Sequence, residues 1–325
     1  MNKFEYTSPR TKELAVKLLN DDTAVLAGGT CLISALKDGL LSPKRLVNIK
    51  EIRELKGIDP TASGELRIGA LATVEEVIDC DRIQNMYPSI RQAALGIRSA
   101  QIQSVGTVGG DLCQYPRCWY FRNGYGLLAE KDGKSMVLEG DNRYHAILGN
   151  EGPAYFVSAS SFAPPLIALG AKVQIYGTAG SREIPLEDFF KTPKSNEDRI
   201  YDLKQGEIVT QILVPPAEGI ACSTYEVRER EALDWPLVSA SAALEMDGDV
   251  VKSARIAMGH VAPVPWLSSE ASAALAGKKV TAETAGQAGE AGVAKAKPLS
   301  HNQYKIRLAH VAVKRAIMSA AGMEV

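Results

Sequence analysis

Leu26-Ala27-Gly28-Gly29-Thr30-Cys31-Leu32 is the stretch on which the reading of this chain turns. Ala24-Val25-Leu26 reads as a short buried strand, and Leu32 to Lys37 reads as the helix that follows. Between them, two adjacent glycines let the backbone turn sharply and leave its N–H groups uncovered. A helix that starts just beyond adds a partial positive charge. The turn can therefore cradle a phosphate or pyrophosphate without a basic side chain. The Thr30 hydroxyl can add one hydrogen bond. No Gly-Lys-Ser/Thr follows, which argues against a P-loop nucleotidase, and the spacing is not GxGxxG. Taken alone, the passage is better read as an ordinary structural turn, since Gly-Gly turns are common.

A second passage, Thr107-Val108-Gly109-Gly110-Asp111, repeats the recipe roughly 80 residues further on. It again has a hydroxyl residue, two glycines and a polar side chain. Two loops of exposed backbone in one domain can approach one large, flat, charged ligand from two sides. A dinucleotide with a planar ring system is such a ligand. Two unrelated turns are the plain alternative.

Around these passages the chain alternates helices and short strands. Thr11 to Asn20 puts Leu14, Leu18 and Leu19 on one helical face, with Ser8-Pro9 as the start signal. Arg45 to Ile49 and Leu66 to Ala70 alternate as strands do. Thr73 caps a helix through Ile78, with Glu75 and Glu76 in its first turn. Residues 84 to 100 read as helical with a break near Pro88. Residues 129 to 153 are polar and Gly-rich and read as a long, functional loop. Leu166 to Leu169 reads as a helix, Lys172 to Tyr176 and Glu207 to Val214 as strands. The domain boundary falls near Pro215-Pro216, giving domains 1–216 and 217–325. Beyond it, Ser223 to Arg230 and Val251 to Met258 read as antiparallel strands, and Ala-rich residues 270 to 296 as one or two helices. Asn302 caps a last helix through Ala321, with Ile306, Val313 and Ile317 as its buried stripe.

Composition agrees with this layout. The chain has 325 residues, which favours two domains. Hydrophobic residues are 46% and charged residues 23%, which excludes a disordered or fibrous chain. A formal net charge of -1 provides no global field for nucleic acid or anionic lipid, so no nucleic-acid partner is expected and any anion site is local. No apolar run reaches the ~18 residues of a membrane span. The start, MNKFEYTSPR, lacks a signal-peptide core. A cytoplasmic protein is expected, with co-export to the periplasm beside a signal-bearing partner as the alternative. Five scattered cysteines read as reduced thiols rather than a disulfide scaffold.

With both glycine passages in view, the sequence resembles a known family. AGGTCLISALK and TVGGDLCQ resemble the two flavin-binding signatures of the FAD-binding medium subunit of the molybdenum hydroxylases, the xanthine dehydrogenase and carbon monoxide dehydrogenase group. QILVPP, GHVAPVPW at 259 to 266 and YKIRLA at 304 to 309 resemble stations of its second domain, so the likeness covers nearly the whole chain. DLCQYPRCWYFR and DNRYHAILGN resemble the subtype of the bacterial periplasmic aldehyde oxidoreductases. The resemblance implies an α+β chain: a two-part vanillyl-alcohol-oxidase-type (p-cresol methylhydroxylase-type, PCMH-type) FAD-binding domain, then a small α+β domain like the CO dehydrogenase flavoprotein C-terminal domain.

It also implies residue roles. Leu26, Ala27, Gly28, Gly29, Thr30, Cys31 and Leu32 would wrap the FAD pyrophosphate. Thr107, Gly109, Gly110 and Asp111 would lie along the flavin and its ribityl chain, with Asp111 where relatives often carry Asn. Val209 would stand against the flavin ring. Two positions depart from the pattern. Ser161 replaces an acid that would hold an FAD hydroxyl. Glu226 stands where many relatives carry Lys, which should lower the flavin potential.

In the aldehyde-oxidoreductase subtype a cubane cluster sits near residues 113 to 118. A [4Fe–4S] cluster normally takes four thiolates. Cys113 and Cys118 are present, but no cysteine lies between 119 and 221, and Met136 and Ala154 stand where the missing pair would be sought. The ligand count argues against a cluster on this chain. Tyr115, Trp119, Tyr120, Phe121 and Tyr125, with Arg117 and Arg122, read as a subunit interface or as loop packing, with the interface favoured. His145 reads as structural. No nucleophile with an adjacent base and no catalytic carboxylate pair is evident.

The resemblance therefore implies an electron-transfer oxidoreductase subunit of a heteromeric complex. Electrons would reach its FAD from [2Fe–2S] centres in a small iron–sulfur subunit and leave to an external acceptor. The molybdenum cofactor would reside in a separate large subunit. A stand-alone FAD oxidoreductase of the same fold is the alternative, and a flavin-free assembly subunit is a third reading.

Overall fold

The computed structural model describes residues 1–230 and 233–325. Three sheets organise the chain. The first is a parallel sheet with Arg45–Asn48 between Glu5–Thr7 and Thr23–Leu26. Parallel neighbours need crossovers, and helix Lys12–Lys17 supplies one between Thr7 and Thr23. Thr11 caps that helix, its hydroxyl accepting from the Leu14 N–H at 3.3 Å. Leu14 is 52% exposed, whereas Ala15 and Val16 are buried against Val47, Ile52 and Leu71. The expected apolar face is thus corrected by one residue. The small side chains, not Leu14, meet the sheet.

The second sheet is antiparallel, in the order Ile58–Pro60, Leu66–Gly69, Ile208–Val214, Lys172–Gly177, Gly180–Pro185. Its core side packs Leu66, Ile68, Val173, Ile175 and Ile212 against helices Val74–Asp79, Pro88–Gly96 and Ala163–Ala168. Thr73 and Glu76 form a reciprocal capping box at the first of these helices. The 129–153 stretch is not wholly loop. It holds a hairpin, Glu130–Lys131 with Lys134–Ser135, and a short helix, Met136–Glu139.

The third sheet, Ile220–Val227, Val238–Asp247, Val250–Gly259 and Trp266–Leu267, carries helices Ser269–Leu275, Ala282–Val293 and Tyr304–Ala320. Val313 and Ile317 lie in its core, with Ile306 packed beside them. Asn302 does not cap the last helix; Gln303 takes that position. Asn302 is instead buried, with its amide N–H groups donating to the His145 and Ala146 carbonyls at 3.1 Å each. Among the described residues no helix is long and apolar enough to cross a membrane.

Candidate functional site

Strand Thr23–Leu26 ends in a turn whose Gly29 has φ +77°, a left-handed conformation that costs glycine little. Helix Leu32–Lys37 follows, with Cys31 at its N-cap and no side chain capping it. Among the described residues, no group accepts from the backbone N–H of Gly28, Gly29, Thr30 or Cys31. Four consecutive unpaired donors are unusual in a folded chain and suit an anionic ligand. A Cβ on Gly28 would lie 1.9 Å from the Val105 carbonyl oxygen and 3.1 Å from the Gly106 Cα. The first glycine turn therefore meets the backbone of Val105 and Gly106, just ahead of the second passage, and Gly28 is the reason it can.

The second passage is not the open loop expected of it. Thr107 is the N-cap of helix Val108–Leu112, and the N–H groups from Val108 to Asp111 all have acceptors. The Val108 N–H donates to the Ala72 carbonyl and Gly109 to Ala70, both at 2.9 Å; Gly110 donates to the Thr107 hydroxyl at 3.1 Å, and Asp111 to the Thr107 carbonyl at 2.8 Å. Gly109 is small for packing: its Cβ would lie 2.8 Å from the Ala70 oxygen. Gly110 is the exposed member.

Asp111 is a hub. One carboxylate oxygen accepts from the Ser160 hydroxyl and from the Phe162 N–H at 3.0 Å; the other accepts from the Ser161 N–H at 3.3 Å and the Gln114 amide at 2.9 Å. Burial raises its pKa, and these donors oppose the rise. A carboxylate offers about four acceptor sites, and all are taken by the protein. The carboxylate thus holds the 160–162 turn in place. Ser161 is buried there at 4% exposure. Val209 lies at a β-bulge in strand Ile208–Val214, largely enclosed by the core.

Glu226 pairs with the Arg228 guanidinium, which also donates to the Gly96 carbonyl at 2.6 Å. Burial pushes the Glu226 carboxyl up and Arg228 pulls it down. A cation is thus present where the sequence showed only the loss of one.

The cysteines separate. Burial pushes the Cys113 thiol up to about 12 in the main core. Cys118 is 3.1 Å from His145 Nε2 and packs with Leu127, Leu128, Ala154, Phe156 and Ile200. Apolar side chains fill the place beside Ala154. Among the described residues no group of three or more His, Cys, Asp or Glu side chains is placed to hold a metal ion. Of the aromatic group, Trp119 meets Tyr144 edge-on at 5.5 Å, Phe121 stacks on Tyr115 at 5.7 Å, and the Tyr120 hydroxyl donates to the Asp141 carbonyl at 3.2 Å. These rings pack on one another, and Tyr115 remains 43% exposed.

Two residues have roles that the sequence reading did not give them. Arg117 lies 4.3 Å over the Trp235 ring and donates to Cys31 Sγ and Gln114 Oε1, both at 3.1 Å. It joins the first glycine turn to the second domain. Lys305, 1% exposed, donates to the carbonyls of His260 at 2.6 Å, His145 at 3.1 Å and Tyr144 at 3.4 Å. Burial lowers its pKa to about 7. Arg117, His145, His260, Trp235 and Lys305 line a cavity of about 500 Å³.

Burial lowers the pKa of His145 to about 4 and of His260 to about 3, with the Lys305 charge adding to both shifts. Both rings stay neutral in the folded protein, while in the unfolded chain they protonate below roughly pH 6.5. Their contribution to stability is therefore complete above that pH and lost as pH falls from there towards 4 for His145 and 3 for His260. At pH 5 each is expected to have lost about 2 kcal/mol. Denaturant midpoints at pH 7.5 and 5 check this. His260→Gln should make the fall with pH shallower, and an unchanged slope would contradict the assignment.

The comparisons with known proteins agree with this geometry. Residues 2–217 match the family described as the FAD binding domain in molybdopterin dehydrogenase, and residues 223–320 the CO dehydrogenase flavoprotein C-terminal domain. The chain is 30% identical over 288 residues to the aldehyde oxidoreductase FAD-binding subunit of Escherichia coli K12, covering 87% of each chain. It is 28% identical over 326 residues to the carbon monoxide dehydrogenase medium chain of Hydrogenophaga pseudoflava, covering 98% of this chain and 97% of that one. A solved structure of the carbon monoxide dehydrogenase from that organism, lacking the Mo-pyranopterin moiety, superposes with a TM-score of 0.77 at 27% identity, covering 99% of this chain and 98% of that one. The chain belongs to the FAD-binding medium subunits of the molybdenum hydroxylases, oxidoreductase subunits with an FAD-binding domain followed by a CO dehydrogenase flavoprotein C-terminal domain.

Proposed function

We propose that this chain relays electrons within a heteromeric molybdenum hydroxylase. They arrive from [2Fe–2S] centres of a small partner subunit, downstream of molybdenum in a large one, and leave to an external acceptor. The observation that carries this reading is the run of unpaired N–H groups from Gly28 to Cys31, braced against Val105 and Gly106. FAD, when bound, supplies a carrier that takes up electrons singly or in pairs and releases them either way.

The chain's residues divide the work of holding it. Leu26 to Leu32 form the pyrophosphate turn, with Gly28 to Cys31 presenting the donors and the Arg117 guanidinium adding positive charge beside Cys31. Thr107, Gly109 and Gly110 set the second wall. Asp111 positions that wall through Ser160 to Phe162. Ser161 offers a hydroxyl where relatives offer an acid, and Val209 gives the ring an apolar neighbour. The working units are residues 1–216 and 217–325.

Glu226→Gln removes an anion and leaves Arg228 in place. The flavin midpoint is expected to rise, measured by spectroelectrochemical titration. Glu226→Lys is the poorer probe, because it sets two cations together and breaks a buried pair. A midpoint that falls or stays fixed in Glu226→Gln would remove Glu226 from the flavin environment.

The assembly is tested by purification from the native source. Iron and molybdenum in stoichiometric amounts with two partner subunits are expected. A flavin-bearing chain that purifies alone and oxidises a substrate by itself would contradict the reading.

A further inference from the structure

Gln114 is a buried amide bonded to both glycine passages. It is 7% exposed, and its side chain has no spare polar atom. Nε2 donates to the Asp111 carboxylate at 2.9 Å and to the Ala159 carbonyl at 3.1 Å. Oε1 accepts from the Arg117 guanidinium at 3.1 Å, with the Cys31 thiol 3.8 Å away. The neighbours fix which way the amide points. A main-chain carbonyl only accepts and a guanidinium only donates, so the nitrogen faces Ala159 and the oxygen faces Arg117. The Tyr201 hydroxyl donates to the Gln114 main-chain carbonyl and pins the backbone at this position.

Asp111 and Arg117 carry opposite charges, and Gln114 stands between them. Arg117 is near enough to pull the Asp111 carboxyl down against the effect of burial. A guanidinium and a carboxylate with nothing between them favour a direct, charge-assisted pair. Such a pair would turn Arg117 away from Cys31 and cancel its charge. A neutral amide prevents this by satisfying both partners at once, donating to the acid and accepting from the base. Among the described residues, Gln114 Oε1 is the one oxygen that accepts from Arg117. The other contacts of the guanidinium are Cys31 Sγ at 3.1 Å and the face of the Trp235 ring at 4.3 Å. No acid pairs with it among the described residues, so its positive charge stands free beside the turn whose N–H groups are unpaired from Gly28 to Cys31.

We propose that Gln114 is a positioning residue for the dinucleotide, a neutral spacer that keeps Arg117 apart from Asp111 and directed at the pyrophosphate turn. This rests on the FAD-binding reading above. Gln114 acts through Arg117 and does not itself touch the cofactor. Its removal and the removal of Arg117 therefore cost the same interaction, once.

The test is a thermodynamic cycle on the purified full chain freed of flavin, titrated with FAD. Gln114→Met keeps the length of the side chain and removes both donor and acceptor. Gln114→Met and Arg117→Met are each expected to weaken FAD binding by about 10-fold, and the double variant by no more than either alone. Wild-type affinity is expected to fall as salt is raised, because added ions screen the guanidinium from the pyrophosphate, and to fall less steeply in all three variants. Losses that multiply in the double variant, or wild-type affinity in Gln114→Met, would overturn the proposal, since Gln114 would then act on the fold alone or not at all. Should Gln114→Met fail to fold, Asp111→Asn combined with Gln114→Glu carries the test. There the acid and the amide change places, so the hydrogen bond between positions 111 and 114 persists with its direction reversed, while the introduced carboxylate neutralises Arg117. FAD binding is expected to stay about 10-fold weak in that folded variant, and wild-type affinity there would overturn the proposal. A wild-type chain that takes up no FAD would overturn the flavin reading and the proposal together, whereas FAD uptake with multiplying losses would overturn the proposal alone.

Discussion

Gly28→Val is expected to abolish FAD retention. The first added carbon would meet the Val105 carbonyl oxygen at 1.9 Å, and that oxygen is main chain. No rotamer change relieves the clash, so the first glycine turn must separate from the Val105–Gly106 backbone. Separation moves the unpaired N–H groups from Gly28 to Cys31 away from the wall that braces them. Even Gly28→Ala introduces this atom, and it should bind at least ~100-fold more weakly, since an overpacked site costs about 1–3 kcal/mol and lost backbone donors add to that. Equilibrium dialysis against FAD, with circular dichroism to confirm the fold, reads the effect. Gly39→Ala is the control: glycine there is left-handed, so the change carries backbone strain, but a Cβ would meet nothing within 4 Å. Retention equal to wild type in Gly28→Val would contradict the packing account.

Asp111→Ala is expected to be the most destabilising single change at the site. It strands the Ser160 hydroxyl, the Ser161 and Phe162 N–H groups and the Gln114 amide together. Hydrogen bonds to a charged group are worth about 1.5–3 kcal/mol each, and they are not additive, so a loss of about 3 kcal/mol or more is expected. That corresponds to roughly 6–12 °C in Tm for a unit of this size. Asp111→Asn should fall between, since an amide keeps one acceptor but turns its NH₂ towards donors. A loss under 1 kcal/mol in Asp111→Ala would mean that the 160–162 turn is held by other contacts.

How far the sequence carried this reading depends on whether a signal is local. The Gly28-Gly29 turn was legible because a strand, two glycines and a helix follow one another directly. The second passage was recognisable by composition, but its role was not. Whether Gly109 exposes its N–H or buries it depends on Ala70, nearly 40 positions earlier in the chain. Strand Val238–Asp247 left no period-2 trace because it is buried on both faces: its first seven residues, Val-Ser-Ala-Ser-Ala-Ala-Leu, are all enclosed. Strand Gly180–Pro185 was missed for the opposite reason, an exposed edge with little apolar content.

The largest omission was tertiary. Lys305 reads as a surface residue on an amphipathic helix, yet it closes the carbonyls of Tyr144, His145 and His260. Asn302 reads as a cap and serves as a strap to the same segment. Asn142 returns the contact, accepting from the His301 N–H at 2.8 Å. These residues tie the 141–150 segment to the second domain, and no spacing rule links positions some 160 apart. Arg117 belongs with them, because its partners Cys31 and Trp235 are far apart in the chain and meet only through the fold.

The central claim is that the turn at Gly28 to Cys31, braced by Val105 and Gly106, holds one FAD. The direct measurement is the visible spectrum and flavin content of the purified full chain, before and after incubation with excess FAD. About one FAD per chain, lost in Gly28→Val and kept in Gly39→Ala, is the predicted result. A wild-type chain that stays colourless and takes up no flavin would contradict it.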